Sequence, residues 1–139
     1  VLRGTAAQSN ATLTVEVDGP LSITGDEGLV KRVLANLVGN AIRFAPENSA
    51  VNIRVFAQRG RAIVAVTDEG PGVPRAIRSQ IFEKFHQAGS TRERGGAGLG
   101  LSFCKMAVEA LGGQIWIQDD REEMTGATFF VALPLRSGR

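Results

Sequence analysis

Apolar residues between positions 29 and 42 come in adjacent pairs about one helical turn apart: Leu29/Val30, Val33/Leu34, Leu37/Val38 and Ala41/Ile42. That spacing draws one broad buried face down a helix. Asp26 is placed to cap its start and Pro46 to end it. A second helical pattern, LGLSFCKMAVEAL, closes at Gly112-Gly113. Elsewhere the period falls to two. ATLTVEV, residues 11–17, reads as a strand, and LSIT, after Gly19 and Pro20, as a short second strand completing a hairpin with it. VNIRVFAQ and RAIVAVTD flank Arg59-Gly60 and predict an antiparallel hairpin. QIWIQ and ATFFVALP predict two last strands across a charged turn, with Trp116, Phe129 and Phe130 as packing or sheet-face residues. PRAIRSQIF suggests a short helix or turn, and only HQAGSTRERGGAG, residues 86–98, is poor enough in core residues to read as a mobile loop.

Hairpins mixed with helices, without regular strand–helix alternation, predict an α+β fold: a two-layer sandwich whose mixed, mostly antiparallel sheet is covered on one face by helices. The 139 residues suit one domain, 1–139. No apolar run approaches the roughly 20 residues that span a bilayer, so no membrane contact is expected from this segment. Sixteen basic residues against 14 acidic leave a formal charge of +2, which argues against a nucleic-acid surface and for at most a local anion site. One histidine and one cysteine exclude an ordinary zinc site, and Cys104, among apolar helix residues, reads as a small buried hydrophobe. A chain beginning at Val1, without a signal-peptide pattern, is expected to be a piece of a longer protein.

Three stretches carry candidate chemistry. In TDEGPGVP, residues 67–74, an acid ends a strand just where glycines and prolines turn the backbone, a pattern that also fits an ordinary loop. Asn36, Asn40 and Arg43 share one helical stripe beside the apolar face. Asparagine is a poor helix former, its carbonyl is a sound hard-cation ligand, and a guanidinium beside it suits phosphate. GGAGLGLS, residues 95–102, opens a helix with four glycines but matches neither a P-loop nor the dinucleotide fingerprint. Free amides at such a helix start fit a phosphate cradle and a flexible hinge equally.

In chain order, NLVGNAIRFAP, DEGPGVP, IFEKFHQ and GAGLGLS resemble the N box, first glycine box, F box and second glycine box of the ATP-binding catalytic domain of sensor histidine kinases. That family belongs with the gyrase, heat-shock chaperone and mismatch-repair ATPases. The resemblance implies the Bergerat-type ATP-binding fold, ATP and Mg²⁺ as ligands, and Asp68 as acceptor of the adenine amino group, with Gly70, Gly72 and Val73 making room for the base. It implies Asn40 as the Mg²⁺ ligand, Arg43 and Arg92 near the phosphates, Phe44 against the nucleotide, and a lid over residues 86–97. Gly96, Gly98, Leu99, Gly100, Leu101 and Thr128 complete the implied nucleotide-binding set.

Asn36 is the implied catalytic position; the related ATPases carry glutamate there to activate water, which an amide cannot do. Gln87 stands where many members have arginine, and Phe44 where many have an aromatic hydroxyl or a histidine. His86, between F box and lid, is not placed as the phosphoacceptor. The implied activity is transfer of the γ-phosphoryl group to a histidine on a separate dimerisation domain of the same parent protein, serving a response regulator indirectly in two-component signalling. A cytoplasmic location follows, whatever anchors the parent. The alternatives are a related ATPase or serine kinase of the anti-sigma-factor type, and a degenerate module that binds nucleotide or only a partner.

Overall fold

The computed structural model describes residues 11–19, 21–23, 25–70, 73, 76, 78, 80–83, 97–118 and 127–135. In chain order these form β1 (Thr12–Val17), α1 (Glu27–Phe44), β2 (Ala50–Gln58), β3 (Arg61–Asp68), a 3-10 turn at Gln80–Phe82, α2 (Ala97–Ala110), β4 (Gln114–Gln118) and β5 (Ala127–Pro134). The five strands make one sheet in the order β1-β2-β3-β5-β4. Every pairing is antiparallel except β1 with β2. The expected two-layer α+β architecture is therefore what the chain adopts.

Asp26 caps α1, its Oδ1 accepting from the Leu29 amide at 3.1 Å. At the other end Pro46 follows the C-cap Ala45. Between them Val33, Leu37, Val38, Ala41 and Ile42 are buried, while Leu29, Val30 and Leu34 pack partly exposed against the same cluster. The face is matched by Leu101, Cys104, Ala107 and Val108 of α2 and by Val51, Val64, Val66, Phe129, Val131 and Leu133 of the sheet. Fully burying one such aliphatic side chain is worth roughly 1.5–3 kcal/mol. A glycine within a helix costs only about 1 kcal/mol, so packing outweighs the poor propensity of Gly28 and Gly39 and holds α1 in place.

The β2–β3 hairpin turns through Arg59 and Gly60, with φ of 53° and 78°. Positive φ at both central positions matches the twist of the strands it joins. α2 ends in a paired C-cap: the Gly113 amide donates to Val108 O at 2.9 Å and the Gly112 amide to Glu109 O at 3.0 Å, with Gly112 at φ 85°.

One expectation fails. Residues 21–23 do not turn back on β1; Ile23 makes an isolated antiparallel bridge with Leu135, and β1 runs parallel to β2 from Thr12↔Ala50 to Val17↔Val55. Alternation identifies a half-buried strand but says nothing of its partner. Val51, Ile53 and Val55 offer Leu13, Val15 and Val17 a longer apolar match than Leu21 and Ile23 could, and α1 supplies the crossover that a parallel pair requires.

Three glycines, three environments and the N-cap give stability predictions readable by urea unfolding. Asp26→Ala should lose about 1 kcal/mol with its capping bond. A Cβ at Gly113 would strike the Ala132 carbonyl oxygen, so Gly113→Ala should cost about 3 kcal/mol. Gly39→Ala, where an added Cβ meets nothing within 4 Å and φ is helical, should gain about 0.5–1 kcal/mol. Gly112→Ala, with φ at +85°, should destabilise despite having only a Pro134 side-chain atom at 3.5 Å.

Candidate functional site

β3 is the central strand, and residues 62–66 are buried on both faces before it releases the chain at Asp68. Strand alternation puts Val64, Val66 and Asp68 on the helix-covered face, so the carboxylate arrives at the rim of the core with 6% of the residue exposed. Its Oδ1 accepts from the Gly70 amide at 2.8 Å, the local turn in which an aspartate bonds the backbone two residues on. Among the described residues Oδ2 is bonded to nothing. Burial pushes the carboxyl above its ordinary 3.8; the Gly70 hydrogen bond pulls it down, and the neighbouring Glu69 charge adds a smaller upward push. No described cation offsets the charge.

The backbone beyond is held from both sides. Gly70 is buried. Val73 packs against the core, and its carbonyl accepts from Arg78 Nε at 3.0 Å. The 3-10 turn buries Ile81 and Phe82, the latter edge-on to Phe129 with centroids 6.1 Å apart. This turn, part of the expected F box, therefore serves as a bolt between α2 and the sheet.

On the helix side, Cys104 Sγ donates to the Val33 carbonyl at 3.6 Å. A Cβ built on Gly100 would lie 3.9 Å from Asn36 Cγ. Moving forward along α1 from Val33 to Asn36 thus moves backward along α2 from Cys104 to Gly100, so the helices run antiparallel. The next turn of the stripe, half-buried Asn40 and then exposed Arg43, advances toward the glycine-rich start of α2. Residues 97–100 are the first turn of that helix, whose amides lack intrahelical acceptors. Gly100 needs no glycine for φ, and its surroundings would accept a methyl.

Burial pushes the Cys104 thiol from 9.0 up to about 12, and a side-chain hydrogen bond with Asn36 opposes that rise. The proton therefore stays on sulfur at neutral pH. The sequence marks Cys104 merely as a small buried hydrophobe, and its place against the Val33 carbonyl is legible only in the packed helices.

The sequence candidates divide accordingly. Asn36 and Gly100 meet between the helices, Asn40 stands half-buried one turn further along α1, and Asp68, Gly70 and Val73 lie at the end of β3. Leu101 stands in the core cluster at 8% exposure, packing α2. Thr128 pairs with Thr67, their hydroxyl oxygens 3.0 Å apart, on the sheet face opposite to the side chain of Asp68. Ala127 is the partner of Asp68 across the ladder and shares its inner face. Counting back two from the inward Phe129 would have found Ala127 in the sequence. The side chains of Phe44 and Leu99, and all of Gly72, Arg92, Gly96, His86 and Gln87, lie outside the described residues, as do residues 86–96 of the expected lid. Gly98 belongs to the first turn of α2.

No three His, Cys, Asp or Glu residues among those described converge on a possible metal position. A cation here would depend on isolated oxygen donors such as Asn40 and on oxygens that a ligand brings, which is the habit of Mg²⁺ with phosphates. No described helix is long and apolar enough to cross a membrane.

Comparison with known proteins agrees with this fold. The chain is 32% identical over 131 residues to the adaptive-response sensory kinase SasA of Synechocystis sp., covering 93% of this chain and 34% of that protein. It thus spans about a third of that relative's length. Its fold superposes on the mycobacterial sensor histidine kinase MprB with a TM-score of 0.85 at 29% identity, covering 97% of this chain and 91% of the other. Full-length ShkA, solved in complex with AMPPNP, is matched with a TM-score of 0.78 at 32% identity over 99% of this chain and 30% of that one. Residues 25–137 match the model of the histidine kinase-, DNA gyrase B- and HSP90-like ATPases, and the chain belongs to that family.

Proposed function

We propose that this domain binds Mg-ATP, reads adenine through Asp68, and donates the γ-phosphoryl group to a histidine on a separate dimerisation domain of the same parent protein. The phosphoryl group then passes to a response regulator, and the domain works in the cytoplasm. One observation carries the reading: a carboxylate buried to 6% exposure, with one oxygen tied to the Gly70 amide and the other uncommitted. A buried charge without a cation is costly to keep. An acceptor held this way suits the exocyclic amino group of adenine and rejects the carbonyl of guanine, since a buried unpaired acceptor costs about 1–3 kcal/mol.

The other roles follow from position. The first-turn amides of α2, at Gly98 and Gly100, receive phosphate oxygens approaching where no Cβ intervenes. Asn40 would hold Mg²⁺ by its carbonyl, the ion supplying positive charge against the phosphate tail when bound, and Arg43 would add a guanidinium at that end. Arg92 and Gly96 would extend the same phosphate end, Phe44 and Leu99 would pack on the nucleotide, and Gly72 would clear space for the base. In the transfer, the acceptor imidazole nitrogen attacks the γ-phosphorus as the bond to the bridging oxygen of ADP breaks. Such a reaction asks the protein for placement and charge. An imidazole brings its own lone pair, whereas water needs a base, and Asn36 cannot be one. This favours transfer over hydrolysis. AMPPNP bound to the related ShkA supports nucleotide binding by the same fold.

Asp68→Asn keeps an acceptor for the Gly70 amide and removes the buried charge. Titration calorimetry should find ATP binding roughly tenfold to a hundredfold weaker, with the preference over GTP reduced. Equal wild-type affinity for ATP and GTP would sink the adenine-reading role.

The same substitution should raise the stability of the nucleotide-free domain at neutral pH. Folded Asp68 holds its proton above the unfolded value of 3.8, so its contribution is greatest at low pH. It is lost as pH rises from 3.8 through the elevated folded value. Urea unfolding of both proteins across that interval should show the wild type losing stability relative to Asp68→Asn, and a constant difference would contradict the burial argument.

For the transfer itself, radiolabelled ATP with the domain and its cognate histidine-bearing domain should place acid-labile label on the latter. Rapid phosphate release by the domain alone would instead favour an ATPase.

A further inference from the structure

We propose that β1 is a self-association surface: its open edge takes β1 of a second copy of this chain, antiparallel about Val15, and joins two five-stranded sheets into one.

β1 leaves both backbone and side chains unpaired at the same places. It stands at one end of the strand order, so among the described residues it has a neighbouring strand on one side only. In its parallel pairing with β2, the Thr12 amide donates to Ser49 O at 2.9 Å and the Asp18 amide to Val55 O at 2.8 Å. Successive amides along a strand alternate in direction, so the even-numbered residues serve β2. The amides and carbonyls of Leu13, Val15 and Val17 therefore point to the open edge. Their register with Val51, Ile53 and Val55 puts the same three side chains on the inner face of the sheet. Val15 and Val17 are 58% and 57% exposed there, so the helix layer stops short of them. An open backbone edge beside exposed apolar side chains is a template for strand addition.

The strand is complementary to itself. Laid antiparallel on a copy with Val15 opposite its equivalent, Leu13 of each copy meets Val17 of the other. Every one of these residues carries outward backbone groups, so each pair exchanges two N–H···O bonds and sets apolar against apolar. On the outer face Thr14 meets Glu16 and Thr12 meets Asp18, which gives each carboxylate a hydroxyl donor across the seam. Each also keeps its own cation, since Arg54 lies 3.5 Å from Glu16 and 3.9 Å from Asp18. Other registers lose this match. A slip of one residue opposes apolar to polar, and a slip that centres the pairing on Glu16 sets two carboxylates face to face. A strand of six residues makes a seam smaller than a standard interface, so the association is weak, with Kd on the order of 0.1 mM. Asp68, on β3, lies two strands away and stays open.

Sedimentation equilibrium of the 139-residue chain, carried to a Kd-matching concentration and beyond, should show monomer and dimer in exchange. Amide exchange at Leu13, Val15 and Val17 should slow over the same range. Val15→Lys brings two ammonium groups together at the two-fold and should weaken association at least about tenfold with an unchanged unfolding midpoint. Cysteine pairs test the register. Hydrogen-bonded antiparallel partners lie about 5.5 Å apart, within disulfide reach, so oxidised Val15→Cys should form a covalent dimer. Val17→Cys, about 14 Å from its equivalent along the strands, should not. A monomer throughout the range, association that survives Val15→Lys, or equal cross-linking through positions 15 and 17 would each overturn the proposal. So would slow exchange at the three amides already at the lowest concentration, because the edge would then be taken from within the chain.

Discussion

A carboxylate placed at the edge of a hydrophobic core is an unfavourable thing to build, and much of this fold is arranged around holding one. Asp68 ends a strand buried on both faces and paired on both sides, so its backbone has little freedom to swing the side chain into water. The loop beyond it is held by the Gly70 amide, by the grip of Arg78 on the Val73 carbonyl, and by Phe82 wedged against Phe129. Each contact is modest, worth about 1 kcal/mol for an ordinary hydrogen bond. Their joint effect is to keep the charge where relaxation would relieve it. An arrangement that maintains a local cost is what the role proposed for Asp68 would require.

The helix layer answers a different demand. In the proposed reading, phosphates need donors and positive charge in the open, whereas the base needs an acceptor at the rim of the core. Antiparallel packing of α1 on α2 separates the two. Their apolar residues seal the sheet, and the same register carries the asparagine stripe from the buried Cys104 contact, past Gly100, to the free amides that begin α2. The glycines there are affordable because Leu101, Cys104, Ala107 and Val108 anchor the remainder of the helix.

The sequence carried the helices and most strands because each is written in a short local period with its own stop: Asp26 and Pro46 for α1, Gly112-Gly113 for α2, Arg59-Gly60 between β2 and β3. It did not carry the partner of β1, because parallel pairing is decided by complementarity across an intervening helix. Inner-face placement was legible where a motif and a period agreed, as at Asp68. At Thr128, alternation from Phe129 turns the hydroxyl to the outer face, where it meets Thr67.

Ala127 then acquires meaning that its side chain alone lacks. It faces Asp68 across the ladder on the inner surface, and a methyl there can neither donate to the carboxylate nor compete for the uncommitted oxygen. A hydroxyl or amide at 127 could bond Asp68 within the protein, relieve part of the desolvation that raises its pKa, and satisfy the acceptor before any ligand arrived. Keeping the neighbour apolar leaves that oxygen for a donor from outside. In the reading proposed above, specificity at the rim of the core would come from withholding internal partners from Asp68.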